Sequence, residues 1–185
     1  LEFHSRTNAN LLTVHGKSGL HTSFIARLEL LQSLELNPSL SIDEGFCRDM
    51  LIPDWMTGPN SHLHLSRYFE LVSCIIEKWF AEVLEYPFHE LHLRDGKSVP
   101  TVKLEAALVG LPRAGEVISM QLRVLCVGTK SVRLQTRLVQ AGRVLAQTCQ
   151  VLVFATNSDG ELHSTAISAE LMDRMTSQIC EVDPP

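Results

Sequence analysis

The sequence predicts an α+β domain in which one long helix is wrapped by a curved antiparallel sheet of about five strands. Three observations predict it. From Leu65 onward the apolar residues Leu65, Tyr68, Phe69, Val72, Ile75, Ile76, Trp79, Phe80 and Val83 recur three or four positions apart, the period of a largely buried helix. Downstream the period falls to two, as in Ile118, Met120, Leu122 and Val124 alternating with Ser119, Gln121 and Arg123. These strands follow one another through short turns, and the only long apolar helix available to cover their sheet precedes them.

Each element can be justified in turn. Phe24, Ile25, Leu28, Leu31 and Leu34 predict an amphipathic helix over Thr22 to Leu36, capped by Thr22 or Ser23 and ended by Asn37-Pro38. Ser39 to Glu44 reads as a loop, and Phe46 to Ile52 as a first strand stopped by Pro53. Residues 1–45 are therefore expected to form an N-terminal extension with a short amphipathic helix, and residues 46–185 the domain. After the long helix, Val102, Leu104, Ala106 and Leu108 mark one strand face. Val132, Leu134 and Leu138 mark another, against Ser131, Arg133, Gln135 and Arg137. Ala141-Gly142 supplies a short hairpin turn into a strand from Arg143 to Phe154, whose run Val151-Leu152-Val153-Phe154 implies cover on both faces. Asn157-Ser158-Asp159-Gly160 breaks that strand, and Leu171, Met172 and Met175 give Ser168 to Ile179 the pattern of a short amphipathic helix.

Composition narrows the function classes. The chain has 185 residues, 45% of them hydrophobic, enough for one domain with a sizeable core. A net charge of -5 with interspersed signs gives no basic stripe, which argues against nucleic acid as a partner. Five widely spaced cysteines without a C-x-x-C pair argue against a disulfide framework or a zinc site and fit a reducing, cytoplasmic setting. No apolar run is long enough for a membrane span, and the N-terminal residues lack a signal pattern. His62-x-His64 lacks a third metal ligand at suitable spacing. Gly16-Lys17-Ser18 and Gly96-Lys97-Ser98 lack the first glycine of a phosphate loop, and no G-x-S-x-G elbow is present.

Three stretches carry a family resemblance. Gly58-Pro59-Asn60-Ser61-His62-Leu63-His64-Leu65-Ser66-Arg67-Tyr68 resembles the loop-to-helix motif D-x-x-G-H-V-N-N-x-x-Y of the 4-hydroxybenzoyl-CoA thioesterase-like branch of the hotdog fold. Val99-Pro100-Thr101-Val102 through Gly115-Glu116-Val117, and Val127-Gly128-Thr129-Lys130-Ser131-Val132, resemble its later strand and loop motifs. Together they cover about Phe46 to Thr165. The resemblance implies a hotdog fold and hydrolysis of an acyl-CoA or acyl-carrier-protein thioester. It also implies no metal or redox cofactor, CoA or phosphopantetheine entering only as part of the substrate, and a homodimer or homotetramer with its site between subunits. A non-catalytic module that binds acyl thioesters on the same fold is the alternative.

The motif departs from the family at one telling place. Gly58 stands where many members carry a catalytic aspartate, and Ser61 stands at the motif's glycine. A thioester carbonyl needs hydrogen-bond donors, and the loop from Gly58 to His64, leading into a helix N-terminus, is the candidate source. For the attacking group, Asn60 and His62 are expected to position water, while Asp54 and Glu70 are the candidate carboxylates, with Glu77 on the same helical face as Glu70. Lys130, Ser131 and Arg133 are the expected contacts of the CoA phosphates. Met56, Trp79 and Phe80 are candidates for lining an acyl tunnel or for plain core.

Overall fold

The computed structural model describes residues 45–158 and 161–179, together with the backbone of three strands nearer the N-terminus. In chain order the elements are β1 (Ser5–Arg6), β2 (Ala9–Val14), β3 (Phe24–Glu29), β4 (Phe46–Leu51), α1 (Leu65–Glu82), β5 (Lys97–Ser98), β6 (Thr101–Leu108), β7 (Val117–Val127), β8 (Ser131–Gln140), β9 (Arg143–Val153), β10 (Ala155–Ser158), β11 (Glu161–Ser164) and α2 (Ala169–Thr176). Five antiparallel strands in the order β6-β9-β8-β7-β4 form the sheet that faces α1. This is the expected hotdog arrangement.

The expected helix over Thr22 to Leu36 is not formed where the structure describes it. Phe24–Glu29 is instead strand β3, parallel to β6 with Ala26 opposite Leu104 and Glu29 opposite Ala107, and β2 pairs on its far side. The physical reason is the edge of β6, whose N–H and C=O groups need partners and outweigh the helical spacing of a short apolar segment. Aromatic and β-branched residues at Phe24 and Ile25 suit either structure. The remainder of that segment, and the loop expected at Ser39 to Glu44, lie outside the described residues.

Core packing follows the two periods. Tyr68, Leu71, Val72, Ile75, Ile76, Trp79 and Phe80 form the buried stripe of α1. Against it lie Ile118, Met120, Leu122 and Val124 of β7, Val132, Leu134 and Leu138 of β8, and Ala146 and Leu152 of β9. Polar residues also point inward: Thr136 and Thr148 sit opposite each other, fully buried, with their hydroxyls hydrogen-bonded. Tyr68 Oη faces this pair but makes no hydrogen bond within ordinary limits, and burial pushes its phenol far above the usual tyrosine range.

Chain entry and exit are set by local chemistry. Gly45, at φ 119°, leads into β4 so close to β7 that an added Cβ would lie 2.5 Å from Leu122 O. At the other end Ser168 caps α2, its Oγ accepting from Leu171 N at 3.4 Å, and α2 buries Leu171 and Met175. β9 ends at Val153, and Asn157 and Ser158, expected to break the strand, belong instead to β10, which pairs with β11 and with β5 in a separate three-stranded sheet. A single π turn at Glu90–Arg94 precedes β5. The sequence pattern signals neither feature, because both involve segments too short to establish a period.

Candidate active site

The candidate site is built from one tight hairpin that delivers the chain into α1. A short 3-10 turn at Asp54–Met56 buries Met56 and aims the chain back, with His64 N donating to Met56 O at 2.9 Å and Thr57 paired with Leu63. Between them Ser61 N donates to Gly58 O and Gly58 N to His62 O, both at 2.9 Å. Pro59 and Asn60 occupy the corner, and Ser61 follows in the left-handed region at φ 62°. This is a turn closed by a left-handed bulge residue, a position that favours glycine. The family motif's glycine thus has a backbone reason, and here a serine occupies that position.

A second segment clamps the hairpin. Leu63 N donates to Pro112 O at 2.7 Å, and Ala114 N to Ser61 O at 2.9 Å. His62 Nδ1 lies 2.9 Å from Leu111 O. A carbonyl only accepts, so Nδ1 carries a proton, and Nε2 is the nitrogen left to act as a base. His62 N donates to Asn60 Oδ1 at 3.3 Å, which fixes the amide so that Nδ2 remains available as a donor. His64 is the N-cap residue of α1, exposed, with Nδ1 3.5 Å from Ser66 Oγ.

The start of α1 is electrostatically open. No side chain caps it and no acidic residue lies in its first turn. The N–H groups of Leu65, Ser66 and Arg67 therefore have no intrahelical acceptor and face the loop with the positive end of the helix dipole.

The structure separates the sequence-predicted site residues into three groups. Asn60 and His62 belong to the hairpin. Asp54 is exposed at the head of the preceding turn, where its side chain forms no hydrogen bond or ion pair among the described residues, its backbone O accepting from Thr57 N and Thr57 Oγ1. Glu70 lies about 9 Å along the helix axis from His64 and is held by Arg67, Nη1 reaching both carboxylate oxygens at 2.7 Å. Arg67 in turn lies over the exposed Trp55 ring at 5.3 Å. Lys130, Ser131 and Arg133 lie toward the far end of β8, about 23–33 Å along the strand from its Gln140 end, which adjoins the clamp of the hairpin. Lys130 Nζ there contacts Ser164 O and Oγ at 3.4 and 3.3 Å. Met56, Trp79 and Phe80 are closed into the core, Phe80 packing on Trp79, Phe88 and Phe154.

Glu116 is the site neighbour that sequence reasoning passed over, although Gly115-Glu116-Val117 was part of a matched motif. Its Oε2 accepts from Arg113 N at 2.6 Å, and Arg113 bridges to His62. That backbone hydrogen bond chiefly holds the Glu116 carboxyl below the usual glutamate range, helped by Gln140 and by the charges of Arg113 and His62. Glu116 thus senses the charge of His62, and its proton affinity is already lowered by the clamp. Among the described residues no group of His, Cys, Asp and Glu is arranged to hold a metal ion.

Comparison with known proteins agrees with the fold. The sequence model of the thioesterase-like superfamily matches residues 43–183. Among solved structures, a dynemicin thioesterase studied for polyene binding superposes with a TM-score of 0.67 at 14% identity, over 75% of this chain and 100% of its own. A thioesterase-superfamily protein from a Jannaschia species gives 0.67 at 20% identity, covering 75% and 95%. A 4-hydroxybenzoyl-CoA thioesterase variant bound to 4-hydroxybenzoyl-CoA gives 0.64 at 15% identity, covering 70% and 96%. No curated protein matches the sequence.

Proposed function

Because the chain belongs to the thioesterase-like superfamily, a group of thioester hydrolases, we propose that it hydrolyses an acyl thioester of CoA or of an acyl carrier protein where the 57–64 hairpin meets α1. The observation that carries this reading is the uncapped start of a buried helix beside His62 and Asn60. The thioester oxygen accepts hydrogen bonds from the first free N–H groups of α1, which strengthen as the oxygen gains charge in the tetrahedral intermediate. Water held by Asn60 Nδ2 loses its proton to His62 Nε2 and attacks the carbon, and the thiolate leaves. CoA or phosphopantetheine enters only as part of the substrate. The free cysteines Cys47, Cys74, Cys126 and Cys149 suit a reducing cytoplasm, and a dimer or tetramer is the working assembly.

A non-catalytic module is favoured by two observations: the hairpin carries Gly58 where the family motif has an acid, and Glu70 is engaged by Arg67. Thiol release from a panel of acyl-CoA and acyl-carrier-protein esters separates the two. On the enzymatic reading His62→Ala lowers kcat by about 100-fold or more, Asn60→Ala lowers it less, and Glu70→Ala changes it only a few-fold. No release on any ester, with CoA still raising Tm, would establish the binding module instead.

A further inference from the structure

The charge opposite His62 narrows how a substrate is held, on the reading that this hairpin is a thioesterase site. Leu63 N donates to Pro112 O at 2.7 Å and Ala114 N to Ser61 O at 2.9 Å, so His62 and Arg113 face each other between these bonds as a non-hydrogen-bonded antiparallel pair. In such a pair the Cα atoms stand about 4.5 Å apart and both side chains emerge on the same side of the ribbon. The imidazole and the guanidinium are therefore rooted side by side, but their circumstances differ. His62 is tied to Leu111 O, whereas Arg113 is exposed and its guanidinium makes no hydrogen bond or ion pair among the described residues. Glu116 turns to the Arg113 backbone, its Oε2 accepting from Arg113 N at 2.6 Å, and so holds that residue in place while leaving the side-chain donors open. Arg67, the other arginine beside the hairpin, is engaged by Glu70.

We infer that Arg113 receives the phosphate at the end of the pantetheine arm, the anionic group that a CoA ester and an acyl-carrier-protein ester share. The planar fork of a guanidinium matches a phosphate with two parallel N–H donors, and a guanidinium is weakly hydrated, so it gives up little in making the contact. The arm is long and flexible, and it carries the phosphate from a thioester at His62 Nε2 to the open side of the clamp. The contact is the same before and during attack on the carbonyl, because the phosphate is remote from the reacting carbon. Arg113 therefore acts on binding of the substrate and not on the chemical step.

The test measures binding and turnover separately. Pantetheine and phosphopantetheine are titrated by calorimetry into the natural chain, Arg113→Ala and Arg113→Lys, and thiol release is followed for the same proteins with pantetheine, phosphopantetheine and CoA esters of the same acyl group. Phosphopantetheine should bind the natural chain about tenfold more tightly than pantetheine, the size of one charge-assisted contact, and the margin should shrink with added salt. Arg113→Ala should erase that margin, raising Kd and KM about tenfold for the phosphorylated forms alone while kcat is retained. Arg113→Lys should keep part of it. A merely structural part for Arg113 would instead misplace His62, lowering kcat and weakening all forms alike, and that result overturns the inference. Equal binding of pantetheine and phosphopantetheine by the natural chain overturns it too. If esters are cleaved without regard to the phosphate, the inference fails and the thioesterase reading stands. If the phosphate is preferred through Arg113 but no ester is cleaved, the thioesterase reading fails and the inference holds for a binding module.

Discussion

Replacing Ser61 by glycine should stabilise this protein, against the usual effect of glycine. Ser61 sits at φ 62°, a conformation that costs an L-residue roughly 1–2 kcal/mol through the approach of Cβ to the carbonyl oxygen. Its side chain is exposed and makes no hydrogen bond among the described residues that would offset the strain. Glycine removes the strain but gains backbone freedom in the unfolded chain, a loss of about 0.5–1 kcal/mol. The net gain is about 0.5–1 kcal/mol, which for a chain of 185 residues is a rise in Tm of about 1–4 °C. Urea and thermal unfolding of Ser61→Gly, Ser61→Ala and Ser61→Val check it. Alanine should be near neutral, and valine lower than the natural chain, since a β-branched side chain tolerates this region least. A fall in stability for Ser61→Gly, or a Ser61→Val equal to it, would refute the left-handed bulge and with it the account of how the hairpin is shaped.

Other outcomes follow from single contacts. Ala141 and Gly142 form the β8–β9 turn at φ 47° and 74°, so Ala141→Asn should gain a few tenths of a kcal/mol in unfolding free energy, asparagine being favoured in this turn. Gly45→Ala should lower Tm by several degrees, because its Cβ would lie 2.5 Å from backbone oxygen Leu122 O, which cannot move without disturbing β7. The chain has two tyrosines. Burial raises both: Tyr68 far up, and Tyr86 to about 12, where Asp95 accepting its hydroxyl hydrogen adds to the effect. Absorbance at 295 nm should show no tyrosinate at pH 10 in the folded protein and about half ionisation in denaturant. Since the unfolded chain loses these protons first, stability falls as pH rises above about 10.

The large elements were legible because they are long enough to show their period. α1 needed five turns of apolar residues, and β7, β8 and β9 each alternate over about ten positions. The sequence pattern failed where tertiary contacts decide. Phe24–Glu29 has helical spacing but follows the open edge of β6, whose paired residues lie 78 positions away, as Leu104 does from Ala26. Thr136 broke the expected face of β8 because it has a partner only across the sheet, Thr148. At the site, the hairpin and its two residues Asn60 and His62 were legible from local motif, but the clamp from Leu111 to Glu116 was not. Nothing in a linear reading says that Leu111 O fixes the His62 tautomer, since the two are 49 residues apart.

The wide separation of the two predicted groups constrains how any CoA ester is held. Lys130 and Arg133 lie toward one end of β8 and the hairpin at the other, about 33 Å and about 23 Å away along the strand. A phosphate held by Lys130 therefore serves the hairpin of another subunit, or it serves none. Within one chain, Arg113 is placed much closer, on the segment that bridges to His62. These alternatives make different kinetic predictions. If a second subunit supplies the cation, Lys130→Ala raises KM for CoA esters about tenfold, a loss of one charge-assisted contact, and mixing it with His62→Ala subunits restores part of the activity, because some mixed sites keep both residues. If the contact lies within the chain, Arg113→Ala raises KM while Lys130→Ala leaves it unchanged, and mixing restores nothing. A Lys130→Ala effect without complementation in a protein that stays monomeric at assay concentration would contradict both, because no single chain brings Lys130 to its own hairpin.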